Sequence, residues 1–263
     1  MLGKGEAHAI TDKDVSALAT RLGVHPADLE AIAEVESNGF GWFKDGRIKI
    51  LFEKHWFYKL LSGAQRDRAV REGLARKNWI SPSNGGYKDQ SNADARYRLL
   101  TKAMAINEEM ALQSISMGRF QIMGFNYALC GFISAKQMWT KFLHSEVYQL
   151  EAFANFLTKK NLIAAVKNRD FDTVEEVYNG GGLNGAYARK MKTASDKLRA
   201  GKWANWQPDK PVSAPQPVPP PVLPKEPEPA PVAAPEPAQA KTGIITLIAI
   251  AASSIAAYFG WGS

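Results

Sequence analysis

The stretch Ser116-Met-Gly-Arg-Phe-Gln-Ile-Met-Gly124 says more about the fold than any other part of this sequence. It follows a predicted helix that ends near Ile115, and its glycines predict a turn whose backbone can approach a ligand closely. Gln121, within that turn, offers both a hydrogen-bond donor and an acceptor. Because glycine-rich turns after helices are common, the segment gains meaning only from the rest of the chain.

A carboxylic acid ends a predicted helix much earlier in the chain. This helix begins near Pro26, a residue tolerated in a first turn. Glu36 lies at its end, before the helix-breaking run Ser37-Asn-Gly-Phe-Gly41. Apolar neighbours favour a raised pKa, which an acid needs if it is to donate a proton near neutral pH. By position alone, a surface glutamate at a helix end would be the commoner interpretation.

A third segment, Val177-Tyr-Asn-Gly-Gly-Gly182, places a phenol and an amide just before a flexible turn. In chain order, Glu36-Ser37, Gly118-Arg-Phe-Gln121 and Tyr178-Asn179 resemble the three signatures of goose-type lysozymes and lytic transglycosylases. The sequence is more similar still to the N-acetylmuramidase domain of phage endolysins, over about residues 12–200. The motifs that carry this resemblance are Val35-Glu-Ser37, Ile50-Leu-Phe-Glu-Lys-His55, Ser116-Met-Gly-Arg-Phe-Gln-Ile-Met-Gly-Phe125 and Tyr178-Asn-Gly180. Two departures are Met117 in place of the usual Trp, and Gly181-Gly182 in place of the commoner residues.

The resemblance implies a mainly α, lysozyme-like helical domain with a small β element. It further implies cleavage of the β-1,4 bond between N-acetylmuramic acid and N-acetylglucosamine in peptidoglycan, with Glu36 as the general acid. Glu53 is the second candidate carboxylate, which can orient water or stabilise oxocarbenium-like charge. The alternatives for Glu53 are an ion pair with Lys54 or Arg47, or simple support of the cleft.

Four further residues are expected to bind the substrate: Ser116, Gln121, Tyr178 and Asn179. The resemblance implies that Tyr178 forms a hydrogen bond near Glu36 or the bound sugar, and that Asn179 contacts an acetamido group. A lytic transglycosylase, which would use the same acid and form anhydromuramic ends, is the close alternative to a hydrolase. An inert, membrane-anchored wall-binding module is the alternative from another class, and the combination of Glu36 with the other motifs argues against it.

Local patterns outline the remaining elements. Thr11 and Asp14 predict a capped helix start, and Arg47–Glu53 is the best candidate for a strand. Residues 62–92 show only a weak pattern, with a loop at 81–86. Helices are predicted at residues 55–61, 93–103, 108–115, 136–166, 171–177 and 185–198.

Composition divides the chain into three parts: a catalytic domain at residues 1–207, a linker at 208–241 and an apolar helix at 242–263. Thirteen of the 15 prolines lie between Pro208 and Pro237, which predicts a disordered, extended linker. The 19 uncharged residues 243–261 are long enough to span a bilayer. We therefore expect membrane association. The segment then either holds the domain at the inner membrane, on the cytoplasmic side, until a separate pore protein opens the membrane, or perturbs membranes after release.

The remaining composition narrows the function classes. The net charge of +7 suits an anionic partner such as the cell wall, while the absence of a nucleic-acid module argues against nucleic acid. The N-terminus lacks the features of a cleavable signal peptide. Cys130, the single cysteine, is expected to be a small buried residue. The spacing of the four histidines predicts no metal, and no cofactor is expected.

Overall fold

A computed structural model describes residues 1–180 and 184–208, where helices surround a small sheet. The expectation of a mainly helical domain with a small β element is confirmed. The helices are α1 (Asp12–Leu22), α2 (Pro26–Ser37), α3 (Lys54–Leu60), α4 (Gly63–Arg71), α5 (Ala93–Met104), α6 (Glu108–Gln113), α7 (Ala135–His144), α8 (Glu146–Lys159), α9 (Ile163–Lys167), α10 (Phe171–Val174) and α11 (Ala186–Ala200). The strands are β1 (Ile50–Phe52), β2 (Ile115–Met117) and β3 (Ile122–Met123).

The first two helices begin where the sequence predicts. The Asp14 backbone N–H donates to Thr11 Oγ1 at 3.3 Å, and the Thr11 N–H donates to Asp14 Oδ2 at 2.7 Å. This reciprocal cap satisfies two donors that would otherwise lack partners at the start of α1. Pro26 opens α2, as expected. Both starts are set by residues within one turn, which is why they could be predicted.

Helix α2 is buried along nearly its whole length and packs along α11. Asp28, which is fully buried, accepts hydrogen bonds from Ser195 Oγ and Arg199 Nη2, each at 2.5 Å. Glu30 accepts from the indole N–H of Trp203 at 2.7 Å. Buried carboxylates need such partners. These contacts fix α2, and therefore the acid at its C-terminal end, against α11.

The sheet is antiparallel in the order β1-β2-β3, with Leu51 opposite Ser116 and Met117 opposite Ile122. The predicted strand at Arg47–Glu53 is confirmed only for Ile50–Phe52. The expectation that Ser116 follows a helix ending near Ile115 is wrong, because α6 ends at Gln113 and Ile115 begins β2. Pairing with β1 makes this segment a strand.

Other predicted boundaries need correction. Residues 62–92 contain α4, and the single helix predicted at 136–166 is instead α7, α8 and α9. Ser145 separates α7 from α8, and its hydroxyl accepts from the Val147 N–H at 3.1 Å. The helix predicted at 171–177 changes after α10 into a π-helical turn at Glu175–Asn179.

The chain returns to the first helices after α11. Trp203 packs in a cluster with Val15 and Ala27, and the Trp206 indole N–H donates to Ser16 Oγ at 2.7 Å. Within residues 1–180 and 184–208, the helices are too short or too polar to cross a membrane. The linker and the apolar segment 243–261 lie outside the described residues, so the predicted boundary after residue 207 stays a prediction.

Candidate active site

Glu36 lies in the last turn of α2, and its side chain is fully buried. Asn38 ends the helix in the left-handed conformation, at φ 55°, and its N–H donates to the Glu34 carbonyl at 2.9 Å. Asn179 Nδ2 donates a hydrogen bond of 2.8 Å to Glu36 Oε1. The structure thus joins two of the predicted site residues, 143 positions apart in the chain.

The π-helical turn positions Asn179. Turns of this kind often lie at functional sites, and here the turn ends at Gly180, whose φ of 83° favours glycine. Glu175, at its start, accepts from the backbone N–H groups of Gly185, Tyr187 and Ala188 at 3.0, 2.8 and 2.8 Å. The Glu175 carboxylate therefore caps α11 and fixes this helix to the turn that carries Asn179.

Tyr178 is buried, and its side chain binds the turn between β2 and β3. Its phenol donates to the Phe120 carbonyl at 2.6 Å, and its ring packs edge-on against Phe153 and Phe156. Burial, together with the nearby charge of Glu36, raises the pKa of the Tyr178 phenol well above its ordinary value. Tyr178 therefore lies close to the acid, and its hydrogen bond goes to the β2–β3 hairpin; its expected contact with a bound sugar stays a prediction.

Ser116 and Gln121 form the interior of that hairpin. Ser116 Oγ donates to Gln121 Oε1 at 3.0 Å, and Gln121 Nε2 donates to the Gly118 carbonyl at 2.7 Å. Both side chains are buried, and Gln121 adopts a φ of 45°, which is uncommon outside glycine. These contacts give both residues a role in holding the turn. The expected contact with a sugar stays a prediction.

The residue after the acid connects α2 to the sheet. Ser37 Oγ donates to the Arg119 carbonyl at 2.6 Å, and the Ser37 carbonyl accepts from Lys49 Nζ, also at 2.6 Å. Burial lowers the pKa of Lys49 to about 8. Lys49 is thus a buried amine held against the backbone of the residue that follows Glu36. No pattern in the sequence indicated this role for Lys49, because a lysine beside a strand usually faces solvent.

Glu146 and Gln149 of α8 support the same region. Glu146 Oε1 accepts from the Gly41 N–H at 2.7 Å, and Gln149 Oε1 accepts from the Arg119 N–H at 2.6 Å. A Cβ added at Gly41 would lie 2.6 Å from Gln149 Oε1, and one added at Gly118 would lie 2.5 Å from the same atom. These glycines allow the close approach of both turns to α8. The sequence offered no signal for this pairing.

Glu53 lies between the end of β1 and the start of α3, where it is almost fully buried. The Tyr87 phenol donates to both of its oxygens, at 3.0 Å to Oε1 and 2.8 Å to Oε2. His55 Nδ1 lies 3.2 Å from Glu53 Oε2, although its direction is not that of an aligned hydrogen bond. Burial and the charge of Glu53 raise the pKa of Tyr87 above its ordinary value.

The ion pairs considered for Glu53 are not formed, because both candidate partners bind other acids. Lys54 pairs with Asp89, and Arg47 pairs with Asp45 and Asp94.

Tyr87 also links Glu53 to the surface. Trp79 Nε1 donates to the Tyr87 oxygen at 2.9 Å, and the Trp79 side chain is 42% exposed. Phe40, just after α2, is 67% exposed. Each carboxylate thus has an exposed aromatic residue associated with it. Phe40 follows Glu36 by four residues in the chain, and Trp79 is linked to Glu53 through Tyr87. Trp56, by contrast, packs at 4.3 Å between centroids on Phe125.

Cys130 is buried, and burial raises the pKa of its thiol to about 12. The interpretation of Cys130 as a small buried residue is confirmed.

Comparison with known proteins places this arrangement in a family. The profile of the Muramidase family, described as N-acetylmuramidase, matches residues 25–199, which include every site residue above. The chain belongs to the N-acetylmuramidase family. This muramidase is similar to the endolysin of Burkholderia phage AP3, whose crystal structure matches it with 32% sequence identity and a TM-score of 0.62. The alignment covers 76% of this chain and 75% of the endolysin chain. A comparison with curated protein sequences found no significant match.

The family and the endolysin likeness make this muramidase a peptidoglycan-cleaving glycosidase. Glu36 and Glu53, both buried, have different partners: an amide donor for Glu36, and a phenol donor beside an imidazole for Glu53. Distinct surroundings are what allow two carboxylates to serve different roles in one reaction.

Proposed function

We propose that this muramidase hydrolyses the β-1,4 bond between N-acetylmuramic acid and N-acetylglucosamine, with Glu36 as the general acid. The observation that carries the proposal is the hydrogen bond from Asn179 to Glu36, a fully buried carboxyl at the end of α2. An acid that protonates a leaving oxygen needs a fixed orientation and a site with little water. Glu36 has both.

The reaction divides between the two carboxylates. Glu36 gives its proton to the glycosidic oxygen as the bond to the anomeric carbon breaks. Glu53 then orients the water that attacks, or stabilises the positive charge on the sugar. The Tyr87 phenol, which donates to both Glu53 oxygens, holds the carboxylate in one orientation. Because Glu36 is enclosed, the sugar reaches it only after a local rearrangement of the atoms that cover it.

Asn179 is proposed to bind the substrate in addition to its hydrogen bond with Glu36. Its Nδ2 is engaged by Glu36, while its Oδ1 is buried and lacks a hydrogen-bond partner among the described residues. Buried polar atoms are normally satisfied, so this oxygen is suited to accept the N–H of an acetamido group. Tyr178 acts through the hairpin turn, and Ser116 and Gln121 keep that turn in the shape that receives the sugar.

Substitution of the acid tests the proposal directly. General acid catalysis contributes roughly 10²–10⁴-fold, so Glu36→Gln should lose at least about 99% of the rate of solubilisation of purified walls. Glu34→Gln is the matched control, because Glu34 lies on the same helix but is exposed. Unchanged melting temperatures would show that both variants fold. If Glu36→Gln kept more than about a tenth of the rate, Glu36 would not be the acid.

The products separate hydrolysis from the transglycosylase reaction, which uses the same acid. Mass spectrometry of digested peptidoglycan should show reducing N-acetylmuramic acid ends, each heavier by one water than an anhydro end. Anhydro ends would overturn the hydrolase and leave Glu36 in place. Glu53 favours the hydrolase, since a buried second carboxylate with its own phenol donor is suited to hold water.

The C-terminal segment is proposed to bind the inner membrane through residues 243–261. The proposal rests on its 19 uncharged residues and on the length of a bilayer-spanning helix. Access to the wall would then require a separate pore protein, or disruption of the membrane by the segment itself.

Truncation after Trp206, where the last described packing contact lies, should leave activity on purified walls unchanged. In fractionated cells, the full chain should be found with membranes and the truncated chain in the soluble fraction. Equal recovery of both chains in the soluble fraction would overturn the membrane proposal without touching the catalytic one.

A further inference from the structure

We propose that Glu6, His8 and His144 form a binding site for a divalent transition metal of the zinc class. The three residues lie on the surface, where the N-terminal segment passes the end of α7. His8 Nε2 is 2.8 Å from Glu6 Oε2, and His144 Nδ1 is 3.1 Å from Glu6 Oε1. One ligand atom from each residue lies within 4.8 Å of the other two.

The geometry is close to what a tetrahedral ion requires. With metal–ligand distances of about 2.0–2.1 Å, the ligand atoms of a tetrahedral zinc site lie roughly 3.3 Å apart. Two imidazole nitrogens and one carboxylate oxygen form a donor set suited to zinc, nickel or copper. The side chains of Glu6 and His8 are 62% and 61% exposed, and that of His144 is 44% exposed. Small rotations can therefore bring the three atoms to equal spacing around an ion that water also contacts.

The backbone holds the two halves of this metal site together. The His8 N–H donates to the His144 carbonyl at 3.0 Å, and the Ala7 N–H donates to the Leu143 carbonyl at 3.1 Å. Ala7 has a φ of 53°, a conformation that costs energy outside glycine. Ala7 lies between Glu6 and His8 in the chain. Glu6 contacts His144, and the His8 ring lies edge-on to the His144 ring. The backbone pairing therefore keeps the three metal-ligating groups next to one another.

Glu6 is suited to meet a cation. Its carboxylate already lies between the two imidazoles, with one oxygen towards each of them. In a metal complex both imidazoles must be neutral, so the ion would replace their contacts with Glu6 rather than add to them.

Metal binding would tie the N-terminal segment to the junction of α7 and α8. His144 lies 136 positions after His8 in the chain, so the ion closes a long loop. Ser145 and Glu146 follow directly, and Glu146 holds Gly41 next to the end of α2. The expected role is structural. It does not depend on the proposed catalytic function, because no metal step enters that reaction.

The test is zinc titration of the full chain, produced without a polyhistidine tag. Isothermal titration should give one zinc ion per chain. His144→Ala should abolish that binding, and Glu6→Gln should weaken it by about tenfold or more. His25→Asn is the control, since it removes a histidine outside the site, and asparagine can still cap α2. At a hundredfold excess over the dissociation constant, zinc should raise the melting temperature by about 5–10 °C.

His144→Ala should lose this thermal shift, and His25→Asn should keep it. Failure of the parent chain to bind zinc, or equal binding by parent and His144→Ala, would overturn the site and show that the cluster is only a set of surface hydrogen bonds. Wall cleavage by the same preparations reports separately on the catalytic proposal.

Discussion

Replacement of Asn179 by alanine is the sharpest test of how the structure controls the acid. The substitution removes the 2.8 Å hydrogen bond to Glu36 Oε1 and leaves the π-helical turn and its Glu175 cap intact. A buried hydrogen bond to a carboxylate is worth about 1.5–3 kcal/mol. Since about 1.4 kcal/mol corresponds to a tenfold change in rate, kcat should fall roughly 10- to 100-fold.

The pH dependence of the rate separates orientation from simple loss of fold. The Asn179 amide favours the charged form of Glu36, because it donates to a carboxylate oxygen. Without this donor the acid keeps its proton to higher pH. The alkaline limb of the kcat profile for soluble glycan fragments should therefore move to higher pH in Asn179→Ala, while the melting temperature changes by only a few degrees.

Tyr178→Phe is the matched control for this experiment. Its phenol donates to the backbone of Phe120, so its loss should cost about 1 kcal/mol of stability and leave the alkaline limb where it is. The reasoning is refuted if Asn179→Ala keeps more than about a third of the parent kcat. It is also refuted if Tyr178→Phe shifts the profile by the same amount.

Three further outcomes follow from buried groups. Tyr87→Phe removes the donor to Glu53 and should lower kcat about tenfold, with Trp79→Phe as the milder control; an unchanged kcat would argue that Glu53 is only structural. Burial lowers the pKa of Lys49 to about 8, so between pH 8 and about 10.5 the unfolded chain binds a proton that the folded chain has lost. Chemical denaturation should show the parent gaining about 1–3 kcal/mol relative to Lys49→Met across that window, and no relative gain would contradict the lowered pKa. Burial raises the pKa of Cys130 to about 12, so a thiol reagent at pH 8 should label this residue only after unfolding; fast labelling of the native chain would refute that.

The features that could be predicted from the sequence are those set within one or two turns of chain. The Thr11 cap, the start at Pro26 and the position of Glu36 at a helix end depend on near neighbours. Helix α4 was missed because it is polar and largely exposed, so it shows little apolar periodicity. The break at Ser145 was missed because apolar residues continue across it, although a serine before an acid is a helix-start signal.

The missed parts of the site depend on distant pairing. Segment 115–117 is a strand because it pairs with β1, about 65 residues earlier. Lys49 and Glu146 contact the end of α2 and the turn after it only because three separate elements meet there. The Tyr87 contact with Glu53 joins a loop to a strand end 34 positions away. No local pattern encodes such contacts. The motif resemblance named Glu36 and Asn179 as site residues, but it did not predict that their side chains form a hydrogen bond with each other.

The three hydrogen bonds that Glu175 accepts at the start of α11 have a consequence for redesign. Because Glu175 binds the N–H groups of Gly185, Tyr187 and Ala188, both ends of the connection between residues 180 and 184 are anchored independently of its length. Segments of other lengths and compositions can therefore be grafted between these positions while Asn179 stays in register with Glu36. Glu175 is the residue that such designs must leave untouched.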